Sequence, residues 1–233
     1  MVILISKMNQ KIADFVNILK KQGKLFYLCV VLFLIFVIHP FFDKTPFEEL
    51  LLNIITTVIL ASAVYALGYN KKRLIWSICL GLPWLLSAWF DFFSPLDISL
   101  VSHSFGVLFY LYVIILLLRH IINANTITVD EIYGGIAIYL LIGMAFGVIY
   151  TVIYTVDSHS FNASFSDTNY RVGDWSDFLY FSYTTLTTLG YGDIIPLNTI
   201  AKSMVNLEAI IGVLYIAIMI ARLIGIHTTN HKR

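Results

Sequence analysis

The chain has 233 residues, 59% of them hydrophobic and 12% charged, with a formal net charge of +1. A soluble domain carries about a quarter charged residues, so this composition excludes an ordinary water-soluble fold and points to a lipid bilayer. The two cysteines, Cys29 and Cys79, both fall in apolar stretches, where small buried hydrophobes are expected rather than a disulfide.

A hydrocarbon core of about 30 Å asks for about 20 mostly apolar residues per helical span. Six such stretches are predicted, at 25–42, 47–68, 73–93, 98–118, 133–156 and 200–224, while segment 174–196 is too short and too polar to be a seventh. Ahead of them, residues 1–24 are too lysine-rich for a cleavable signal peptide. Ile12, Phe15, Val16 and Leu19 stand there at helical spacing, which predicts an amphipathic helix on the inner leaflet. The first four spans, residues 25–118, form one unit, and Val101 to Leu118 in its last span contains no Arg or Lys. His103 lies near the outer end of that span and Arg119 just past the inner end.

Residues 119–132 read as a polar cytoplasmic linker, and Thr128 and Glu131 have capping-box spacing that predicts a helix from Val129. The fifth span carries Gly134, Gly135, Gly143 and Gly147, of which the last two form a G-x-x-x-G pair that permits close helix approach. Asp157 to Gly173 is a polar stretch expected to form an outer turret, with an N-glycosylation pattern at Asn162-Ala163-Ser164. Trp175 to Thr187 then predicts a short half-helix, N-capped by Asp174 and with Asp177 in its first turn. The negative end of its dipole favours a cation at its C-terminus.

Between that half-helix and the last span stands Thr188-Leu189-Gly190-Tyr191-Gly192-Asp193, followed by Pro196. This run resembles the selectivity filter of potassium channels, and the resemblance to their pore module covers roughly residues 134–226. A potassium ion in a narrow pore must exchange its water shell for backbone carbonyls aimed at one axis. Gly190 and Gly192 can take positive φ at little steric cost, which turns successive carbonyls the same way. The resemblance implies four copies around the pore, with K+ at Thr188, Leu189, Gly190 and Tyr191, and Gly192 completing the filter. It also implies a Tyr191 ring turned outward into the pore helices and Asp193 as a brace at the outer mouth.

Thr184 and Thr185 suit a position behind a filter, where hydroxyls meet local backbone. Glu208 is the one carboxylate well inside a predicted span, expensive to bury ionised unless partnered; it is expected to hydrogen-bond hydroxyls of the half-helix such as those of Thr184 or Thr185. Gly212 resembles the hinge glycine of potassium-channel inner helices.

A four-helix unit followed by a pore unit resembles the layout of voltage-gated channels, but those carry Arg or Lys along the fourth helix. Here the fourth span lacks gating charges, so residues 25–118 are read as a voltage-sensor-like scaffold. Twelve of the 15 basic residues gather on the side that holds both termini, which predicts cytoplasmic termini and an outward filter mouth. Only eight residues follow Gly225, so residues 227–233 are expected to be a short cytoplasmic tail.

The expectation is an all-α membrane protein, a homotetramer of six transmembrane helices per subunit plus a re-entrant pore helix and filter loop. The pore module is placed at 133–226. No Cys/His metal spacing, phosphate-cradling loop or nucleophile with a base is present, so no enzyme, cofactor or nucleic-acid partner is expected beyond K+ as cargo. The partners are other copies of the chain, the lipid bilayer and conceivably a regulatory subunit. Two alternatives stand beside this reading: a weakly selective cation channel, and a non-conducting or regulatory channel-like subunit.

Overall fold

A computed structural model of the chain describes residues 23–38, 41, 47–67, 71–93, 99–124, 128–163, 173 and 175–230. Nearly all of the expected amphipathic segment, the Asp174 cap and most of the outer turret lie outside these residues. The described part is mostly helical, with α1 (Lys24–Ile38), α2 (Glu48–Leu67), α3 (Lys71–Phe93) and α4 (Ser99–Ile122) preceding α5 (Val129–Val156). Strand β1 (Phe161–Ala163), α6 (Trp175–Leu186), β2 (Ile194–Pro196) and α7 (Thr199–Asn230) follow.

Each of the six expected spans falls on one long helix, yet among the described residues only three stretches are long and apolar enough to cross a membrane. They are Leu100–Ile122, Val129–Val156 and Thr199–Arg222. Lys24–Ile38 and Leu50–Ala66 are apolar but shorter. Helix α3 opens on Lys71, Lys72 and Arg73 and carries Ser77, Pro83, Ser87 and Asp91, which dilute its hydrophobicity. Helix α7 also runs past the expected end of the pore module, through Asn230.

Two short strands add to the expected helices. Strands β1 and β2 pair antiparallel, with Phe161 opposite Pro196, Asn162 opposite Ile195 and Ala163 opposite Ile194. The pairing is non-local, so no hairpin signal announces it in the sequence. It ties the loop after α5 to the segment that precedes α7, and the Leu197 amide extends it by donating to the Ser160 carbonyl at 2.8 Å. Pro196 is tolerated because it ends the strand.

Helices α1 to α4 pack each on the next, and both ends of that series, α1 and α4, close onto α5. On its other side α5 meets α6 and α7, so it is the axis of the protomer. The α1 face uses Leu25, Leu28, Cys29, Leu32 and Ile35, a three-four spacing that makes one apolar stripe. Cys29 is buried as expected, whereas Cys79 is exposed, and both are free thiols. At the start of α5 the capping box forms, with Asp130 N donating to Thr128 Oγ1 at 3.3 Å and Thr128 N donating to Glu131 at 2.8 Å. Helix α7 is capped by Asn198, whose Oδ1 accepts from Ala201 N at 2.8 Å.

Candidate functional site

Helix α6 is seated on α5 through the glycine pair that the sequence offers. A Cβ on Gly143 would stand 2.5 Å from the Tyr183 ring, and one on Gly147 would stand 3.2 Å from the Leu179 Cα. Gly143 therefore lets α6 lie this close, and Gly147 makes a tight second contact. Tyr183 then donates to the Leu140 carbonyl at 2.6 Å, and Tyr150, Phe161, Phe178 and Phe181 pack edge to face or tilted around the helix.

A helix leaves its last four carbonyls without helical partners, and in α6 each of the four is satisfied by a group that shapes the following strand or locks the helix down. The Tyr183 carbonyl accepts from Thr187 N at 3.0 Å and from Thr187 Oγ1 at 2.6 Å. That of Thr184 accepts from Gly190 N at 3.0 Å, and that of Thr185 from Thr188 N at 2.9 Å. Leu186 accepts from the Tyr139 hydroxyl at 3.2 Å. Thr184 and Thr185 thus meet the strand through their carbonyls; the Thr184 hydroxyl itself donates to the Phe181 carbonyl.

Along the strand, positive φ falls on alternate residues: Thr188 at 60°, Gly190 at 53° and Gly192 at 77°. Alternation of this kind rotates successive peptide planes so that their carbonyls face one side. The two glycines were legible in the sequence. Thr188 was not, because a β-branched residue rarely enters this region and costs about 1–3 kcal/mol there; such strain concentrates at functional sites. No atom comes within 4 Å of a Cβ built on Gly190 or Gly192, so conformation and not crowding requires glycine there. Leu189 and Tyr191 are exposed in the protomer, at 55% and 68%. At the outer end Asp193 accepts from the Tyr180 hydroxyl and from its neighbour Ile194 N, which anchors the strand to α6.

Glu208 is fully buried on α7; one partner is a hydroxyl of α6, as expected, but not either of the two threonines named. Its carboxylate accepts from Ser182 Oγ on α6 and from the Tyr150 hydroxyl on α5, not from Thr184 or Thr185. Ser182 lies on the buried face of α6 and also approaches the Gly143 carbonyl at 2.7 Å; Thr184 is buried too but its hydroxyl is taken by the Phe181 carbonyl, and Thr185 is only half-buried. One carboxylate thereby joins three helices, and both oxygens have donors, which is what makes its burial tolerable.

Gly212 lies in an unbroken stretch of α7. A Cβ there would stand 2.3 Å from the Leu186 carbonyl oxygen, so this glycine is where α7 presses on the end of α6.

Just past the last residue of α5, Asp157 closes that helix and reaches the start of α7 by accepting from Asn198 Nδ2 at 3.0 Å. The hydrogen bond from Asn198 and that from the His159 amide hold its carboxyl below the usual range.

Residues 136–228 match the family described as "Ion channel", a stretch that includes α6, the strand and most of α7. Among curated proteins, the inward rectifier potassium channel Kirbac3.1 of Paramagnetospirillum magnetotacticum is 42% identical over 50 residues, 22% of this chain and 17% of that one. Potassium channel K2 of Plasmodium falciparum is 28% identical over 177 residues, 69% of this chain and 12% of that one. The chain therefore spans less than a fifth of either relative's length. No solved structure matches. Part of the chain is thus similar to potassium channels, and its long apolar helices support a membrane location.

Proposed function

We propose that four copies of this chain assemble in a membrane into a potassium-selective channel. Thr188, Leu189, Gly190 and Tyr191 present carbonyls, and Thr188 its hydroxyl as well, to partly dehydrated K+ at successive positions, with Gly192 finishing the filter. The observation that carries this reading is the alternation of positive φ at Thr188, Gly190 and Gly192 in a strand that follows a short buried helix. A carbonyl strip on one protomer supplies one quarter of a coordination cage, so the site is incomplete without partner copies.

Transport in this reading is passive and needs no cofactor or catalytic group. The exposed ring of Tyr191 packs against a neighbouring copy, and Asp193 and Glu208 hold the strand from two sides. In this reading α1, α2 and α3 cross the bilayer beside the three long apolar helices, with both termini in the cytoplasm, and α4 carries no gating charge, so opening is not driven by the arginine mechanism of voltage-gated channels. Gly212 serves as a packing contact and as the place where α7 can bend.

The test is K+ against Na+ flux through purified protein in liposomes, with barium as blocker and Gly190→Ala as control. Barium-sensitive, K+-preferring flux that the variant loses supports the channel. Equal K+ and Na+ flux replaces it with a weakly selective pore, and no flux over a range of voltage and pH favours a non-conducting subunit.

A further inference from the structure

We infer that Asp130 and Arg222 are positioning residues that fasten the α1–α4 unit to the two pore helices, and through which that unit sets the position of the inner end of α7. The inference rests on the channel reading for its consequence, which is control of pore opening.

Two side chains of opposite sign each close the end of a helix that belongs to the other part of the molecule. Asp130, in the first turn of α5, accepts at Oδ1 from the amides of Leu25 and Phe26, both at 3.1 Å. A carboxylate at the start of α1 suits the positive end of that helix. The fit leaves no room for a side chain at the preceding residue: a Cβ on Gly23 would stand 2.0 Å from the Asp130 carboxyl carbon. Arg222, near the inner end of α7, donates from Nη2 to the carbonyls of Ile121, Ile122 and Ala124, at 2.5, 2.8 and 3.1 Å. These carbonyls finish α4, where a cation is favoured.

The packing between the two clamps places them on one joint. Gly134 and Gly135 let α5 be gripped from both sides: a Cβ on Gly134 would stand 2.7 Å from Leu25 and 3.2 Å from Ile121, and one on Gly135 would stand 2.5 Å from Met219. Tyr215 donates to the Gly135 carbonyl at 2.6 Å, and Phe26 meets Tyr133 edge to face at 4.9 Å. The first turns of α5 are therefore held between α1 and α4 on one side and α7 on the other. A shift of α4 along its axis pulls on Arg222 directly, without passing through the covalent linker.

The clamp on α4 is incomplete. Arg222 Nε is buried and has no hydrogen-bond partner, and a buried donor left unpaired offsets a good part of what the other bonds contribute. A contact so balanced can be exchanged for another at modest cost, which suits a joint with two arrangements better than a permanent staple.

The experiment records single-channel K+ current from the full chain in planar bilayers for Arg222→Gln, Arg222→Lys and Asp130→Asn. Coupling between two parts of a protein spans about fivefold or more in equilibrium terms. Arg222→Gln is expected to change open probability by at least about fivefold. Arg222→Lys should recover part of the change, Asp130→Asn should move it in the same direction as Arg222→Gln, and K+/Na+ preference should stay as in the parent. A spin-label distance between Ile122→Cys and Ala221→Cys, with Cys29 and Cys79 replaced by serine, gives a readout independent of conduction. It should shift or broaden with Arg222→Gln. An unchanged distance and open probability in folded variants overturns the inference. A parent that carries no current but whose distance responds to Arg222→Gln contradicts the channel reading alone and leaves the joint standing.

Discussion

Helices α5 and α7 have nearly the same apolar composition, and the protomer treats them in opposite ways. In the most apolar stretch of Val129–Val156, 72% of residues are buried, against 11% in Thr199–Arg222. Hydrophobicity places both helices in the same solvent, the bilayer, but says nothing of what covers them there. Helix α5 is enclosed by its own chain, with α1 and α4 on one flank and α6 and α7 on the other. Helix α7 leaves Ile210, Val213, Leu214 and Ile218 more than half exposed. An apolar helix left so bare, beside exposed Leu189 and Tyr191, is the surface that neighbouring copies would cover in the proposed tetramer.

The most severe way to break this contrast is to put the same polar side chain on each helix. Ile138→Asn, at a fully buried α5 position, should destabilise the protomer by about 3 kcal/mol or more, through lost apolar contact and an unpaired amide. Thermal unfolding in detergent reads that loss. The pair Ile210→Asn and Leu214→Asn on α7 should leave the protomer's unfolding temperature nearly unchanged while reducing the tetramer fraction seen by light scattering. Equal loss of protomer stability from both would erase the distinction between the helices.

Next in size are the two points where α7 touches the pore helix. Gly212→Ala drives a Cβ into the Leu186 carbonyl, backbone that cannot rotate away, and should cost about 1–3 kcal/mol together with a loss of K+ preference. Glu208→Ala leaves the Tyr150 hydroxyl without its acceptor, at about 1–3 kcal/mol. Ser182 suffers less because the Gly143 carbonyl is within 2.7 Å. Glu208→Gln, which keeps an acceptor, should fall between Glu208→Ala and the parent in unfolding temperature.

The smallest effect belongs to the outer loop. The carboxyl of Asp157 is held below its ordinary value of 3.8 by hydrogen bonds from Asn198 and His159. A group whose pKa is lowered on folding stabilises the fold above its unfolded value and loses that contribution as pH falls through the folded one. Thermal stability should therefore decline slightly below about pH 4, and Asp157→Asn should abolish that part of the decline. An unchanged acid profile in the variant would detach this contact from the stability of the loop.

Much of this was legible because it is local. The Thr128–Glu131 capping box, the half-helix from Trp175, the positive φ of Gly190 and Gly192 and the close approach at Gly143 and Gly147 each follow from residues a few positions apart. What the sequence hid depends on long-range geometry. The β1–β2 pairing joins loops on either side of the pore helix. Glu208 was recognised as needing partners, but the choice of Tyr150 and Ser182 follows from the rotation of three helices about one another. Thr188 enters positive φ against its own preference because the Thr185 carbonyl takes its amide and the following glycine is tied to Thr184. The joint at Asp130 and Arg222 likewise brings together residues about a hundred positions apart in sequence.

The central claim is that the alternating strand selects K+. Its most direct test is the zero-current voltage of the purified chain in a planar bilayer with K+ on one side and Na+ on the other. A potential far from zero, of the sign that marks K+ as the permeant ion and lost in Gly190→Ala, is the predicted result. A current that reverses near zero would contradict it.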